Sequence, residues 1–285
     1  MDQITGHYGF WLPMDISAHG ASIDRLILYV HLLMLALFVG WGAFYVYCLI
    51  KFRARPGHGA IYAPVKAIFT KYVEAGVVAV ELFLLFGLST PIWFKYKEAA
   101  PADAQHIHLV AEQFAWDFHY PGKDGTFGRT DASMISSDNP VGLDPDDAAG
   151  KDDIVSVNQL HIQLHKPTVV EISSKDVIHS FNIPVLRVKQ DAVPGQRVPV
   201  YFEATQTGHF ELACAQLCGL GHYKMRADVF VDSPADYAKW QADNAPDAPT
   251  PDAAAPAAPD QQQPPAATPT EQKPADKGQA DKTAP

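Results

Sequence analysis

The chain is poor in cysteine, with 3 in 285 residues, which leaves no disulfide framework to read. No Cys-x-x-Cys-His run occurs, so a covalently attached c-type haem is excluded from these residues. Basic side chains are the minority, 22 Lys and Arg against 32 Asp and Glu, for a formal net charge of -10. That balance argues against a nucleic-acid surface and for cationic partners. No basic region precedes the first apolar run and no small-residue cleavage site follows it, so residues 1–25 are expected to be a retained outer segment, not a cleaved signal. From residue 246 onward there is no aromatic residue. Pro, Ala, Asp, Gln, Thr and Lys dominate, cannot build a core, and predict a disordered tail over 246–285.

What is present is concentrated. Leu26 to Ile50 is an apolar run of 25 residues with His31 inside it and no carboxylate, long enough to cross about 30 Å of hydrocarbon as a helix. Cys48 within it is expected to be an inert packing residue. A second run, Ala75 to Phe94, is broken only by Glu81. Lys51, Arg53, Arg55, Lys66 and Lys71 lie between the runs, so the connection is expected on the cytoplasmic side and the rest of the chain outside, with Trp93 and Tyr96 at interfacial depth. The pattern predicts a transmembrane hairpin over 26–97. Carboxylates in such helices are functional candidates. Glu81 reads as a helix-packing hydrogen-bond partner, and Glu74 as either a functional group or a snorkelling one.

Beyond the hairpin the period changes to two. Residues 105–120 alternate as strand, and 154–232 repeat short strands with Gly and Pro turns, such as Val169–Ile172, Val198–Phe202, His209–Leu212 and Ala227–Val231. An all-β sandwich over 98–245 is expected. Residues 121–153 interrupt it with a polar insert, in which seven aspartates from 131 to 153 face Lys151 alone. Their spacing is not that of an EF-hand, and a solvated acidic loop that adds to the field around the domain is expected. His106, His108, His119, His161, His165 and His209 lack ligand spacing and read as strand or surface residues.

One stretch falls between the last two strands: Cys214-Ala215-Gln216-Leu217-Cys218-Gly219-Leu220-Gly221-His222-Tyr223-Lys224-Met225. Thiols, an imidazole and a thioether are soft, copper-type donors. Glycines 219 and 221 let the loop turn back on itself, and His179 stands upstream as a second imidazole. A mononuclear blue site uses two histidines, one cysteine and a methionine; here there is one cysteine more. Two thiolates can bridge two copper ions that share one electron. Other readings of the cysteines are a disulfide or a copper-chaperone or thiol-exchange pair.

The loop resembles the CuA loop of subunit II of haem-copper (cytochrome c) oxidases. The resemblance extends through Ser174–Phe181, Pro184, Leu186, Lys189, Asp191, Pro194 and Gly195, and to the hairpin, so it covers roughly residues 25–232. It implies a cupredoxin-like sandwich in which Cys214 and Cys218 bridge two coppers, His179 and Met225 complete one, and His222 and the backbone carbonyl of Gln216 complete the other. The family has a glutamate at 216 whose carboxylate also touches a magnesium ion; Gln216 offers a neutral carbonyl instead. The family's electron-entry aromatics correspond to Phe114 and Trp116, and Asp176, three residues before His179, is expected to present negative charge to the donor. A family glutamate at the mouth of a proton path corresponds to Glu74, without the tryptophan and threonine that follow it there. The resemblance implies electron transfer from a separate cytochrome c to haem in subunit I, where oxygen is reduced, with subunit III and the lipid bilayer as further partners. It also implies a bacterial inner membrane location with the copper domain periplasmic. Alternatives of the same motif are the copper subunit of a nitric oxide reductase and nitrous oxide reductase, whose large second domain has no counterpart here.

Overall fold

The computed structural model describes residues 12–57, 59–60, 62, 67–97 and 100–246. The apolar N-terminal run forms α1 (Gly20–Lys51), a helix of 32 residues. Ser17 Oγ accepts from the Gly20 amide at 2.8 Å and so supplies one of the acceptors that a helix start lacks. At 1.5 Å per residue α1 is roughly 48 Å long, well beyond the hydrocarbon thickness, and its first turns, with Asp24 paired to Arg187 of the domain beyond, are the end that meets the sandwich. The helix therefore starts six residues earlier than the apolar run alone suggested.

The second span is α2 (Ile68–Leu82), a π-helical stretch (Phe83–Ser89) and α3 (Thr90–Lys97) in series. Pro91 explains the π stretch. It has no N–H and its ring crowds the carbonyl one turn back, so the ladder widens before it, and Thr90 Oγ1 donates to the Leu85 carbonyl at 3.0 Å. Helix order begins at Ile68, so Lys71 and Glu74, expected in or beside the connecting loop, lie in the first two turns of α2. Lys66 and the tail from 247 on lie outside the described residues, as do residues 1–11.

The domain beyond is a β-sandwich. Its strands are β1 (Gln105–Glu112), β2 (Ala115–Tyr120), β3 (Ile154–Val157), β4 (Gln159–Gln163), β5 (Thr168–Ser174), β6 (His179–Ile183), β7 (Val188–Ala192), β8 (Val198–Phe202), β9 (Gly208–Cys214) and β10 (Arg226–Asp232). Among the described residues they form two sheets, ordered β3-β2-β1-β5-β8 and β4-β10-β9-β6-β7. The parallel pairs β1·β5 and β4·β10 are what make this a cupredoxin-like, not a purely antiparallel, sandwich. Inward residues of both sheets, among them Trp116, Phe118, Ile172, Phe181, Phe202 and Leu212, make one core.

Three features lie outside the sequence expectation. First, the described part of the outer N-terminal segment is built into the sandwich. Ile16 is fully buried in the core, its amide donates to the Val185 carbonyl at 2.9 Å, and its carbonyl accepts from the Thr205 amide at 2.7 Å. Second, the domain ends in a helix, α4 (Pro234–Asn244), capped by Ser233, whose side chain accepts from the Asp236 amide. Its Trp240 stacks on His161 at 4.3 Å and its Tyr237 hydroxyl accepts from Gln105 Nε2 at 2.6 Å. Third, the insert is solvated only in part: residues 131–138 are exposed as expected, but Asp144 and Asp153 are buried and the turns around them are organised. Buried Asp153 accepts from the Gly122 amide at 3.1 Å, the Gly128 amide at 2.7 Å and His119 Nε2 at 2.6 Å. Asp131, Asp144, Asp147 and Asp152 likewise accept from backbone amides, and Arg129 pairs with Asp144. The insert's Phe127 lies flat on His108, ring centroids 3.7 Å apart.

Candidate metal centre

Cys214 ends β9 and Met225 immediately precedes β10, so the twelve-residue loop springs from two paired strands and its neck is closed by the Cys214 amide donating to the Met225 carbonyl at 3.0 Å. The loop is also held to β6, which His179 begins, by the Ala215 amide on the Ser180 carbonyl at 3.0 Å. These bonds bring soft donors to one point. Cys214 Sγ and Cys218 Sγ stand 3.8 Å apart, unbonded. Cys214 Sγ is 3.2 Å from the Gln216 carbonyl oxygen, Cys218 Sγ is 3.6 Å from His222 Nδ1 and 3.7 Å from Met225 Sδ, and His179 Nδ1 is 3.1 Å from Met225 Sδ. Among the described residues, His179, Cys214 and Cys218 are the one group of histidine, cysteine and carboxylate donors close enough to share a metal, their ligand atoms all within 4.8 Å.

The donor set fits copper. All the side chains are soft or borderline, and four of the five are buried; His222 alone is partly exposed. Burial first, and then the neighbouring Cys214 sulphur, push the Cys218 thiol up to about 12. A bound soft cation would reverse that balance at Cys218, because a coordinating thiol gives up its proton. His179 is oriented from behind: its Nε2 is 2.8 Å from Asp176 Oδ1, which leaves Nδ1 facing the sulphurs. This is the carboxylate–histidine arrangement that fixes a ligating imidazole. Burial alone would raise the Asp176 carboxyl, but the hydrogen bond with His179 and the amides of Gln113 and Val177 more than offset it, so it stays below its ordinary value.

The hairpin turn between β1 and β2 lies over the loop. Gln113 donates its side-chain amide to the Cys218 carbonyl and its backbone amide to Asp176 Oδ2 at 2.7 Å. Phe114 covers Gly219 and Gly221; a Cβ at Gly221 would collide with its ring, and Gly219 has φ of 139°. These contacts, not conformational freedom alone, require glycine at both positions. Gln113 escaped sequence reasoning, for a lone amide in a turn carries no signal. The two aromatics separate. Phe114 is 37% exposed, whereas Trp116 is fully buried behind the site, edge-on to His179 at 6.1 Å between centroids. Trp116 thus lies inside the sandwich, between Phe181 and His179, while Phe114 stands at the surface in the turn before β2. Leu217, Leu220 and Tyr223 project from the loop into solvent. Glu74 is in α2, apart from this cluster.

A two-sheet sandwich preceded by two apolar helices, with thiols and imidazoles gathered in one cluster, defines a membrane-anchored β-domain with a candidate soft-metal site. Residues 106–231 match the family description "Cytochrome C oxidase subunit II, periplasmic domain". The chain is 36% identical over 233 residues to the alternative cytochrome c oxidase subunit 2 of Bradyrhizobium diazoefficiens, covering 81% of this chain and 82% of that one. It is 28% identical over 273 residues to cytochrome c oxidase subunit 2 of Thermostichus vulcanus, covering 87% and 82%. Among solved structures it is similar to the periplasmic domain of subunit II of cytochrome oxidase of Bradyrhizobium japonicum, at 26% identity and a TM-score of 0.38 over 51% of this chain and 96% of that one. The chain belongs to the cytochrome c oxidase subunit II family. It is thus a subunit of an oxidoreductase complex, an inner-membrane protein with two spanning helices and a periplasmic β-domain.

Proposed function

We propose that this subunit receives electrons one at a time from a reduced cytochrome c and passes them to haem in subunit I of a cytochrome c oxidase. The observation that carries this reading is the convergence of two free thiols, two imidazole nitrogens, a thioether sulphur and a carbonyl oxygen in one largely buried pocket. Cys214 and Cys218 would bridge two copper ions; His179 and Met225, and His222 with the Gln216 carbonyl, would complete their shells. A thiolate-bridged copper pair supplies one-electron chemistry with little rearrangement. The chain's own residues provide the rest. Asp176 fixes the His179 ring, the Gln113–Phe114 turn and the core exclude water from the sulphurs, and His222 leads from the pocket towards the surface.

Donor docking is assigned to the loop face, where Phe114, Val177, Ile178, Leu217, Leu220 and Tyr223 are exposed. Asp176 adds negative charge at its edge, and Phe114 is the entry residue, with Trp116 behind the site. Gln216 is exposed and neutral, a weaker magnesium ligand than a carboxylate, so copper alone is assigned. Glu74, in the second turn of α2, is assigned to the mouth of a proton path into subunit I, and subunit III is a further partner. The test is metal analysis and electron paramagnetic resonance of the purified full chain. Two coppers with one unpaired electron shared equally are expected; one copper with a simple four-line spectrum would overturn the assignment. The co-purifying catalytic subunit, an oxygen or a nitric oxide reductase, identifies the acceptor.

A further inference from the structure

A second polar cluster lies at the opposite end of the strand that begins with His179. β6 runs His179–Ile183 and is followed by a 3-10 turn, Pro184–Leu186, and then Arg187. Arg187 has φ of 55° and ψ of 32°, a left-handed conformation that costs a side-chain-bearing residue about 1 kcal/mol or more. Glycine is the ordinary occupant of such a position. An arginine held there points to a use for its side chain.

That use is visible in its partners. A guanidinium has five N–H donors. Nε is 2.8 Å from Asp24 Oδ1 and Nη2 is 2.9 Å from Asp24 Oδ2, a two-point pairing. Nη2 also reaches the Pro13 carbonyl at 2.7 Å, and Nη1 reaches the carbonyls of Pro184 at 2.6 Å and Met14 at 3.4 Å. Its side chain is 8% exposed. Asp24 belongs to the first turns of α1, the end that meets the sandwich, and Pro13 and Met14 to the segment that enters the sandwich. One side chain thus joins the sandwich, the strand leading to a metal ligand, and a membrane helix. The second span also meets the sandwich, where α3 packs beside β8 and Trp93 lines one cavity with Arg187, Val200 and Tyr201, but among the described residues it contributes no ion pair there.

We propose that Arg187 and Asp24 are positioning residues: a clamp that sets the height and tilt of the metal loop over the membrane, and so the path from the copper pair to its acceptor. This rests on the copper reading of the loop. The lever is short and stiff, β6 in extended pairing with β7 and β9 on one side and α1 on the other. Planarity and the five-donor fork are needed, so lysine is no substitute, whereas glutamate at 24 can keep two-point pairing.

The test uses the intact complex in detergent, with Asp24→Asn, Arg187→Gln, the double variant and Asp24→Glu. Two readouts are taken. Hydrogen exchange of the Ile16, Ala18 and Thr205 amides, which bond across the joint, reports the clamp itself. Flash-initiated electron transfer from the copper pair to the membrane acceptor reports position. Each broken variant should speed exchange at the joint and slow the transfer about tenfold or more, on the order of the cost of ångström-scale misplacement at a reacting centre. The double variant should be no slower than either single one, and Asp24→Glu should restore much of the rate. The copper spectrum and the rate of reduction by the donor should stay at the wild-type level. Exchange that speeds without slower transfer would overturn the positioning role, and unchanged exchange would overturn the clamp. A wild-type chain without the shared-electron spectrum would sink the copper reading, while the exchange readout still decides the clamp. If Arg187→Gln fails to assemble, Asp24→Asn, on the helix and outside the sandwich core, supplies both readouts.

Discussion

Two irregular stretches leave the sandwich, and in sequence both look rich in ligands: the loop 214–225, with thiols and an imidazole, and the insert 121–153, with its aspartates. In the insert most of the carboxylates are engaged by neighbouring amides, as Asp131, Asp144, Asp147, Asp152 and Asp153 each take backbone N–H groups, while Asp138 and Asp146 face solvent. In the loop the backbone closes on itself through Cys214–Met225 and Ala215–Ser180, and the side-chain donors are left facing one another. Carboxylates bond amides strongly and so organise their own turns. Sulphur bonds amides weakly, so a loop with sulphur ligands must be shaped by other residues, here Gln113, Phe114 and β6. The difference shows that a ligand cluster is told from a structural one by whether its acceptors are already occupied.

The largest effect is expected where an unoccupied donor is replaced. Cys218→Ser should abolish the copper pair, since a hydroxyl is a poor bridge for a soft metal, whereas Asp131→Ala in the insert should leave copper content unchanged. Metal analysis of both variants decides, and a copper pair surviving in Cys218→Ser would erase the contrast. Next comes the insert's own keystone. Asp153→Ala strips the acceptor from two amides and a buried histidine and should cost about 3 kcal/mol in chemical denaturation, with the folded variant still binding copper normally.

The same region sets a pH dependence. Burial, then the neighbouring His119, Arg197 and His106, lower His108 to about 4. The unfolded chain therefore binds a proton near pH 6.5 that the folded one refuses. Stability is complete above that value and falls as pH drops from about 6.5 towards 4, by about 3 kcal/mol at most. His108→Phe, which keeps a ring on Phe127, should flatten that slope in denaturation curves taken across the window; an unchanged slope would assign it elsewhere. Smaller effects return to the loop. Met225→Leu should keep copper but shift its potential in a redox titration, because a thioether tunes more than it holds. Asp176→Asn should lower the rate of reduction by a basic cytochrome and weaken its salt dependence over the Debye range of about 8 Å, with a slight change in the copper spectrum because His179 Nε2 loses a charged acceptor.

Much of this was legible locally. The two apolar runs and the alternating strands depend on near neighbours, and the structure places them as those patterns imply; the ligand spacing is equally local, and its Cys214 and Cys218 come together with His179. What was not legible depends on distant partners. The burial of Ile16 needs Val185 and Thr205, and nothing in a short polar stretch announces them. Asp176 and Asp24 look like surface charges until His179 and Arg187 are placed beside them. Trp116 and Phe114, two apart in sequence, differ because Trp116 lies in the strand and Phe114 in the turn before it. The helix α4 was different: Ser233, Pro234 and Asp236 form a readable start signal, obscured by the polar, proline-rich tail that follows.

The seating of Ile16 also bears on how the protein is made. Its carbonyl is matched by Thr205, 189 residues further along. At about 5–20 residues per second, the first segment waits on the order of ten to forty seconds for the strands that will enclose it. Closure further requires that both ends of the hairpin have reached the same side of the bilayer. A chain inserted with its first helix reversed would keep Ile16 on the far side and leave a void of the kind that costs about 2–5 kcal/mol. The periplasmic domain would then stay loosened and open to proteolysis, so the fold itself proofreads membrane topology.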